Sequence, residues 1–313
     1  MILVAGSANL DFVVRAQHIP APGETVLGQS FTTYPGGKGA NQAVACARAG
    51  GAPTAMLLAL GDDAHALPLL ASLENAQVRL HTVRCPDQAT GCAFICVADN
   101  AENAITVAPG ANLHLQSQHL PELQGVSHLL MQLEIPITTV TAYARRAQAG
   151  GVQVVLNAAP AQTLPPELLQ AVDLLVVNEG ELRALVSEGG TVVTMLRQIA
   201  VPTVVVTLGQ RGCIARQHDG FVLQPAFNIS PVDTTAAGDT FCGTLVAHLG
   251  RGETLAHALR TASAAAALAC TASGAQSSIP SALDVDNFLR QQPTMAQRHI
   301  DALKNYCGLD VPA

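Results

Sequence analysis

Asp233-Thr234-Thr235-Ala236-Ala237-Gly238-Asp239, running on into Thr240-Phe241-Cys242-Gly243, is the stretch that decides how this 313-residue chain is read. Upstream, Pro225 and Pro231 punctuate an extended run. Downstream, Phe241, Leu245, Val246 and Leu249 recur at helical spacing until Gly250. Ala236, Ala237 and Gly238 therefore fall where a loop becomes the first turn of a helix. The first N–H groups of a helix lack partners within it, and together with the dipole they favour an anion. Small side chains let a phosphate approach that backbone closely. A carboxylate at the mouth of such a site, Asp239, repels the ligand unless it has work there. One such task is taking a proton from a hydroxyl that attacks phosphorus. Taken alone, the segment also reads as an ordinary helix start with Asp233 or Asp239 as an acidic cap.

Working outward, near-continuous apolar runs at Thr54–Leu60, His128–Leu133, Val152–Leu156, Leu174–Val177 and Thr203–Leu208 alternate with helix-like segments. This predicts a mostly parallel central sheet with helices on both faces, an α/β fold whose ligand edge lies at the strand C-termini. Polar residues follow the apolar runs one after another: Glu134, Asn157, Asn178 with Glu181, then Thr207, Gly209 and Gly212. Helix capping explains any one of these, but not their recurrence. After the first strand, Asn9 and Asp11 are two apart, so in extended chain they point the same way and suit a polyol. A turn stabilised by Asn and Asp side chains is the plainer reading. Residues 12–35 and 90–108 read as short antiparallel β pieces able to build a lid that keeps water from a site.

Gly36-Gly37-Lys38-Gly39-Ala40-Asn41 precedes a helix expected over roughly 42–49. No Ser or Thr follows the lysine and the glycine spacing is wrong for a Walker A loop. Three glycines around a lysine at a helix start still suggest close approach of backbone to a ligand, and a bare glycine-rich turn fits the same residues. Near the C-terminus, an alanine-rich helix over 254–271 ends in Ser273-Gly274-Ala275-Gln276-Ser277-Ser278, an oxygen-rich turn that with Asp233 suits a hard cation. A plain surface turn fits the same residues. Residues 283–291 make a last core helix, and 292–313 reads as a loosely tied tail.

Composition narrows the classes. A hydrophobic content of 49% means a large core, and no apolar run reaches membrane-spanning length. The net charge of −7 and the absence of Lys/Arg runs argue against nucleic acid, and aromatics at 3% with no Trp give a stacking platform little support. The N-terminus enters a strand at once, with no secretion signal to be seen. Eight scattered cysteines without a zinc-like spacing read as reduced thiols in a cytoplasmic protein.

The 36–41 run, Asn178-x-x-Glu181, Thr207-Leu208-Gly209-x-x-Gly212 and the 233–243 segment resemble, in that order along the chain, the motifs of the ribokinase-like (PfkB) family of carbohydrate kinases. The resemblance covers residues 1–291. It implies an ATP-dependent sugar kinase phosphorylating the primary hydroxyl of a pentose, with D-ribose giving ribose 5-phosphate. It implies Asp239 as general base and the 236–238 backbone (Ala236, Ala237, Gly238) as anion hole. Asn9, Asp11, Gly37, Lys38, Asn41, Glu134 and Asp239 would hold the sugar. Asn178, Thr207, Gly209, Gly212 and Gly238 would contact ATP, and Glu181 would support Mg2+ through water. Asp233, Thr235, Ala269, Ala272, Gly274 and Ser278 would surround a monovalent cation, K+. The β lid would also serve a homodimer. One departure is Ala236, where many members carry Gly. Deoxyribose, another furanose, a ketose or a nucleoside remain open as acceptors, as does a catalytically silent sugar-binding regulator. A nicotinamide oxidoreductase is disfavoured, since no Gly-x-Gly-x-x-Gly follows the first strand.

Overall fold

Short apolar strands separated by amphipathic helices bury both faces by lining up in parallel. The structure, a computed structural model describing residues 1–100, 102–293 and 295–309, does this with thirteen strands in two sheets. The strands are β1 (Ile2–Ala5), β2 (Asn9–Ala16), β3 (Ser30–Gly36), β4 (Thr54–Gly61), β5 (Arg79–Cys85), β6 (Gly91–Ala98) and β7 (Asn103–Ala108). They continue with β8 (His128–Met131), β9 (Gln153–Asn157), β10 (Leu174–Asn178), β11 (Thr203–Thr207), β12 (Gly212–Gln217) and β13 (Gly220–Pro225). The helices are α1 (Lys38–Arg48), α2 (Ala66–Asn75), α3 (Ile137–Ala149), α4 (Pro166–Leu169) and α5 (Glu179–Leu185). They end with α6 (Val192–Leu196), α7 (Ala237–Gly250), α8 (Leu255–Ala269), α9 (Ala282–Gln291) and α10 (Gln297–Cys307).

The nine-stranded sheet runs β13-β12-β11-β10-β9-β8-β1-β4-β5. It is parallel throughout except at β12 and β13. Alternation along β1 shows why two layers of helix are needed. Ile2 and Val4 enter the core beneath α1, α2, α7, α8 and α9, while Leu3 and Ala5 enter the one beneath α3 to α6 and α10. The chain leaves β1 for β4 and β5 on one side, then returns to β8 and builds towards the other edge. Strand order therefore reverses between β1 and β8, and a crevice opens at their C-terminal ends.

The second, four-stranded sheet has the order β3-β2-β6-β7, with β2 antiparallel to β3 and parallel to β6, and β6 antiparallel to β7. Because β2 follows β1 after Gly6-Ser7-Ala8, this sheet hangs over the crevice. On its outer face Phe12 stacks against Phe31 and Phe94.

Two expectations need correction. The helix expected after Asn41 begins at Lys38, because Gly37 adopts a positive φ of 87° that turns the chain directly into it. Within the stretch expected as a loose tail, 292–313, α10 (Gln297–Cys307) is anchored: it buries Leu303 and Cys307, one helical turn apart, against the core. Positions 310–313 of that stretch lie outside the described residues. Among the described residues no helix is long and apolar enough to cross a membrane, and all eight cysteines are free.

Candidate active site

Where strand order reverses, a cleft of about 520 Å³ lies between the sheets, and Asn9, Asp11, Gly37, Lys38, Asn41, Glu134 and Asp239 all line it. β2 supplies Asn9 and Asp11 from one face. Helix α1 supplies Lys38 and Asn41, three residues apart and so on one side of the helix. Glu134 follows β8, and Asp239 stands in the first turn of α7. Burial, and then the nearby Glu134 and Asp239 carboxylates, push the Asp11 carboxyl up to about 7. The same carboxylates, Asp239 foremost, hold the Lys38 ammonium above its ordinary range against the opposing effect of burial.

Asp239, Glu134 and Asn9 are held from behind. Asn41 Nδ2 donates to Asp239 Oδ2 at 3.0 Å, and Gln42 Nε2 donates to Asp239 Oδ1 at 2.9 Å. Gln42 Nε2 also donates to Asn157 Oδ1 (3.0 Å), while Gln132 Nε2 donates to Gln42 Oε1 (2.5 Å). Gln42 and Gln132 are fully buried, so this chain of amides fixes the Asp239 carboxylate in a medium where an unmade bond is costly. Glu134 Oε2 accepts the Lys38 N–H (3.1 Å) and the Ser7 hydroxyl (2.5 Å), and Ser7 Oγ accepts the Gly39 N–H (3.3 Å). A carboxylate from β8 thereby caps α1, whose own first turn carries no acid. Asn9 Oδ1 accepts from Asn112 Nδ2 at 2.8 Å. A side chain at Gly36 would collide with the Asp11 carboxylate, and one at Gly91 with Asn9 and Asn112.

A second cleft, of about 970 Å³, is lined by Thr207, Gly209, Gly212 and Gly238 together with apolar Phe227, Ile229, Phe241 and Ala266. Pro231 and Thr234 line both clefts, with Ala236 and Asp239 on the first side and Ala237 and Gly238 on the second. The segment that opened the sequence reading is therefore the partition between two cavities. Ala236 takes the left-handed conformation (φ 58°) that starts α7. The Ala237 N–H donates to the Thr234 carbonyl (3.2 Å), whereas those of Ala236, Gly238 and Asp239 find no backbone partner among the described residues. A Cβ on Gly238 would meet nothing within 4 Å, so its backbone is open to a ligand.

Asn178 and Glu181 line neither cleft. They form a reciprocal cap on α5, with Glu181 N–H to Asn178 Oδ1 and Asn178 N–H to Glu181 Oε2, both at 2.8 Å. Burial raises the Glu181 carboxyl above its ordinary range, with the Asn178 N–H and Lys38 acting against it. Asp233 ties the partition to the turn after α8. Its Oδ1 accepts from the Thr235 N–H (2.9 Å) and hydroxyl (2.6 Å), and its Oδ2 from the Gly274 N–H (3.0 Å). Burial works to raise this carboxyl, but those bonds outweigh it and hold the group below its ordinary range. Asp233, Thr235 and Gly274 face the first cleft. Ala269, Ala272 and Ser278 do not, and the Ser278 hydroxyl is turned to the Ala275 carbonyl (2.9 Å).

Sequence reasoning missed Ser7, Gln42, Asn112 and Gln132. Gln42 was within reach: with α1 starting at Lys38, residues 38, 41 and 42 share one helical face. Asn112, from a 3-10 turn far along the chain, leaves no signal in the sequence.

Comparison with known proteins agrees with this geometry. Residues 1–282 match the pfkB family carbohydrate kinase model. Ribokinase from Haemophilus influenzae is 38% identical over 304 residues, which covers 92% of this chain and 98% of that protein. Ribokinase from Thermotoga maritima superposes with a TM-score of 0.86 at 35% identity, over 93% of this chain and 99% of that one. The ribokinase of Arabidopsis thaliana, solved with ribose and ATP, superposes at 0.85 with 29% identity over the same shares. With two clefts meeting at a helix N-terminus and a family match over nine-tenths of its length, this chain belongs to the pfkB family of carbohydrate kinases.

Proposed function

We propose that this carbohydrate kinase transfers the γ-phosphoryl group of ATP to the primary 5-hydroxyl of D-ribose, giving ribose 5-phosphate and ADP. The observation that carries the reading is the shared partition: Asp239 faces the polar cleft while Gly238, one residue earlier, faces the apolar one. A sugar on one side and a nucleotide on the other would meet at the start of α7. Asn9, Asp11, Gly37, Lys38, Asn41 and Glu134 hold the sugar, Asp11 and Glu134 accepting from its hydroxyls. Asp239, steadied by Asn41 and Gln42, takes the proton of the attacking hydroxyl as its oxygen bonds to phosphorus and the bond to ADP breaks. The anion hole of 236–238 steadies the charge, with the N–H groups of Ala236 and Gly238 available at once. Thr207, Gly209 and Gly212 serve the nucleotide from the lining of the second cleft, and exposed Asn178, outside that lining, would reach it from the end of β10.

Two metals fit the residues present. Glu181 has one oxygen committed to its cap, and the other suits the hydration shell of Mg2+, which would offset charge on the β- and γ-phosphates. The loops joined by Asp233 offer only oxygens and one carboxylate charge, a set suited to K+, which would brace the partition. The small sheet covers the sugar. Its cleft side exposes Ile105 and Val107 beside Val13 and Ile95, an apolar strip that a second copy would bury in a homodimer. Ile105→Lys should then give a monomer by light scattering. Eight free thiols accord with the cytoplasm.

The test is ADP release from ATP and Mg2+ with a panel of pentoses, ketoses and nucleosides. D-ribose is expected to give the highest kcat/KM. Preference for 2-deoxyribose or a nucleoside would reassign the acceptor, and sugar binding without ADP release would mark a silent regulator.

A further inference from the structure

Helix α10 lies beyond the 1–282 span that matches the family, and the relatives are covered to 98% and 99% of their length by 92% and 93% of this chain. Helix α10 is thus a surplus beyond the family-matched span. In the structure that surplus is anchored. Leu303 and Cys307 are buried, the Tyr306 hydroxyl donates to Glu179 Oε2 at 2.7 Å, and the Arg211 guanidinium lies 4.2 Å over the Tyr306 ring. Gly308 closes the helix at a φ of 82°, against Thr191.

The adjoining face of the same helix brings Arg298, His299, Ala302 and Tyr306, with Leu303 at its border, into the lining of the second cleft, which Gly209 and Gly238 also line. Arg298 and His299 are exposed, and among the described residues their side chains make no hydrogen bond or ion pair. Position identifies what they face. The phosphoryl end of a nucleotide belongs at the α7 N-terminus near the centre of the sheet, whereas α10 packs on β13, the far edge strand. A nucleotide laid from one to the other would present its base and ribose to α10.

We propose that α10 is a wall of the nucleotide site lying beyond the family-matched span, in which Arg298 and His299 contact the base–ribose half of ATP and Tyr306 holds Arg211 beside it. The inference rests on reading the second cleft as the nucleotide site. Both side chains project from an anchored helix, so binding adds no cost of ordering the backbone.

The test compares Arg298→Ala, His299→Ala and their double variant with the parent, measuring KM for ATP and for sugar and the affinity for ADP by calorimetry. Because these residues are exposed, folding is expected to be intact, and circular dichroism checks it. The double variant should raise KM for ATP and Kd for ADP about tenfold, the loss of about one charge-assisted contact, with the sugar KM moving far less. Unchanged ATP and ADP parameters would overturn the proposal. Gly238→Ala, run alongside, separates the two levels of inference. If it weakens ATP while the α10 variants do not, only the role of α10 fails. If neither set affects ATP, the second cleft is not the nucleotide site.

Discussion

The two clefts solve recognition in opposite ways. The first gathers carboxylates, amides and a lysine, with Asp239, Glu134 and Asn9 each braced by another polar group; the second is richer in apolar surface, setting phenylalanine, isoleucine, alanine and bare glycine backbone beside a few polar side chains. A sugar differs from its isomers by the directions of its hydroxyls, so fixed partners must be in place before it arrives. A flat base joined to phosphates needs a slot and N–H groups. The first design stores an energetic cost in the empty protein, since like charges are buried together; the second stores little.

The sharpest way to break this contrast is at Asp239, the one carboxylate assigned to chemistry. Asp239→Asn should lower kcat by about 10²–10⁴ while calorimetry still detects sugar binding. A variant with near-parental kcat would remove Asp239 from proton transfer. Next in size is the stored cost itself. Asp11 has a folded-state pKa of about 7 against an ordinary 3.8, so the folded protein holds a proton that the unfolded chain releases. Stability tied to neutral Asp11 is full below the unfolded value and drains away as pH rises towards 7. Asp11→Asn stays neutral, and should stabilise the ligand-free protein on the order of 1–4 kcal/mol at pH 8, with no gain near pH 3 and with weakened sugar binding. Thermal melts at the two pH values decide it; equal gains at both would show that the carboxyl is not strained.

Glycine pairs sharpen the comparison at smaller scale. Gly36→Ala collides with Asp11 and should raise the sugar KM about tenfold, whereas Gly238→Ala meets only open cleft and should raise the ATP KM instead. Loss of both affinities in either variant would mean that the clefts are not separable. The smallest effect is expected at Ala236→Gly. The left-handed conformation costs alanine roughly 1 kcal/mol, but glycine returns roughly 0.4–1 kcal/mol to the unfolded chain. Denaturant midpoints should therefore differ little.

Much of this was legible before any coordinates. Apolar runs gave the parallel sheet because strands covered on both faces have no polar side to show, and the polar residues that follow them mark its ligand edge. Asn9, Asp11, Lys38, Asn41, Glu134 and Asp239 could be named because each sits in a motif or at a strand end. What escaped was the bracing. Ser7, Asn112 and Gln132 act through contacts between residues far apart in sequence, and local pattern carries no trace of those. Helix α10 was lost for another reason: its apolar stripe is only as wide as Leu303 and Cys307, and a polar surface around it resembles a solvated end.

One crossing point has a wider consequence. Gly243 of α7 leaves no room for a side chain between itself and Gln42 and Ala45 of α1, so these two helices are locked at contact distance. On the proposed function, the α1 residues assigned to the acceptor, Lys38 and Asn41, cannot drift relative to Asp239 on α7 without prising that junction open. Breadth of acceptor choice is then most readily altered through β2 and its neighbours, and attempts to retune the enzyme should begin on the strands and leave the helix pair intact.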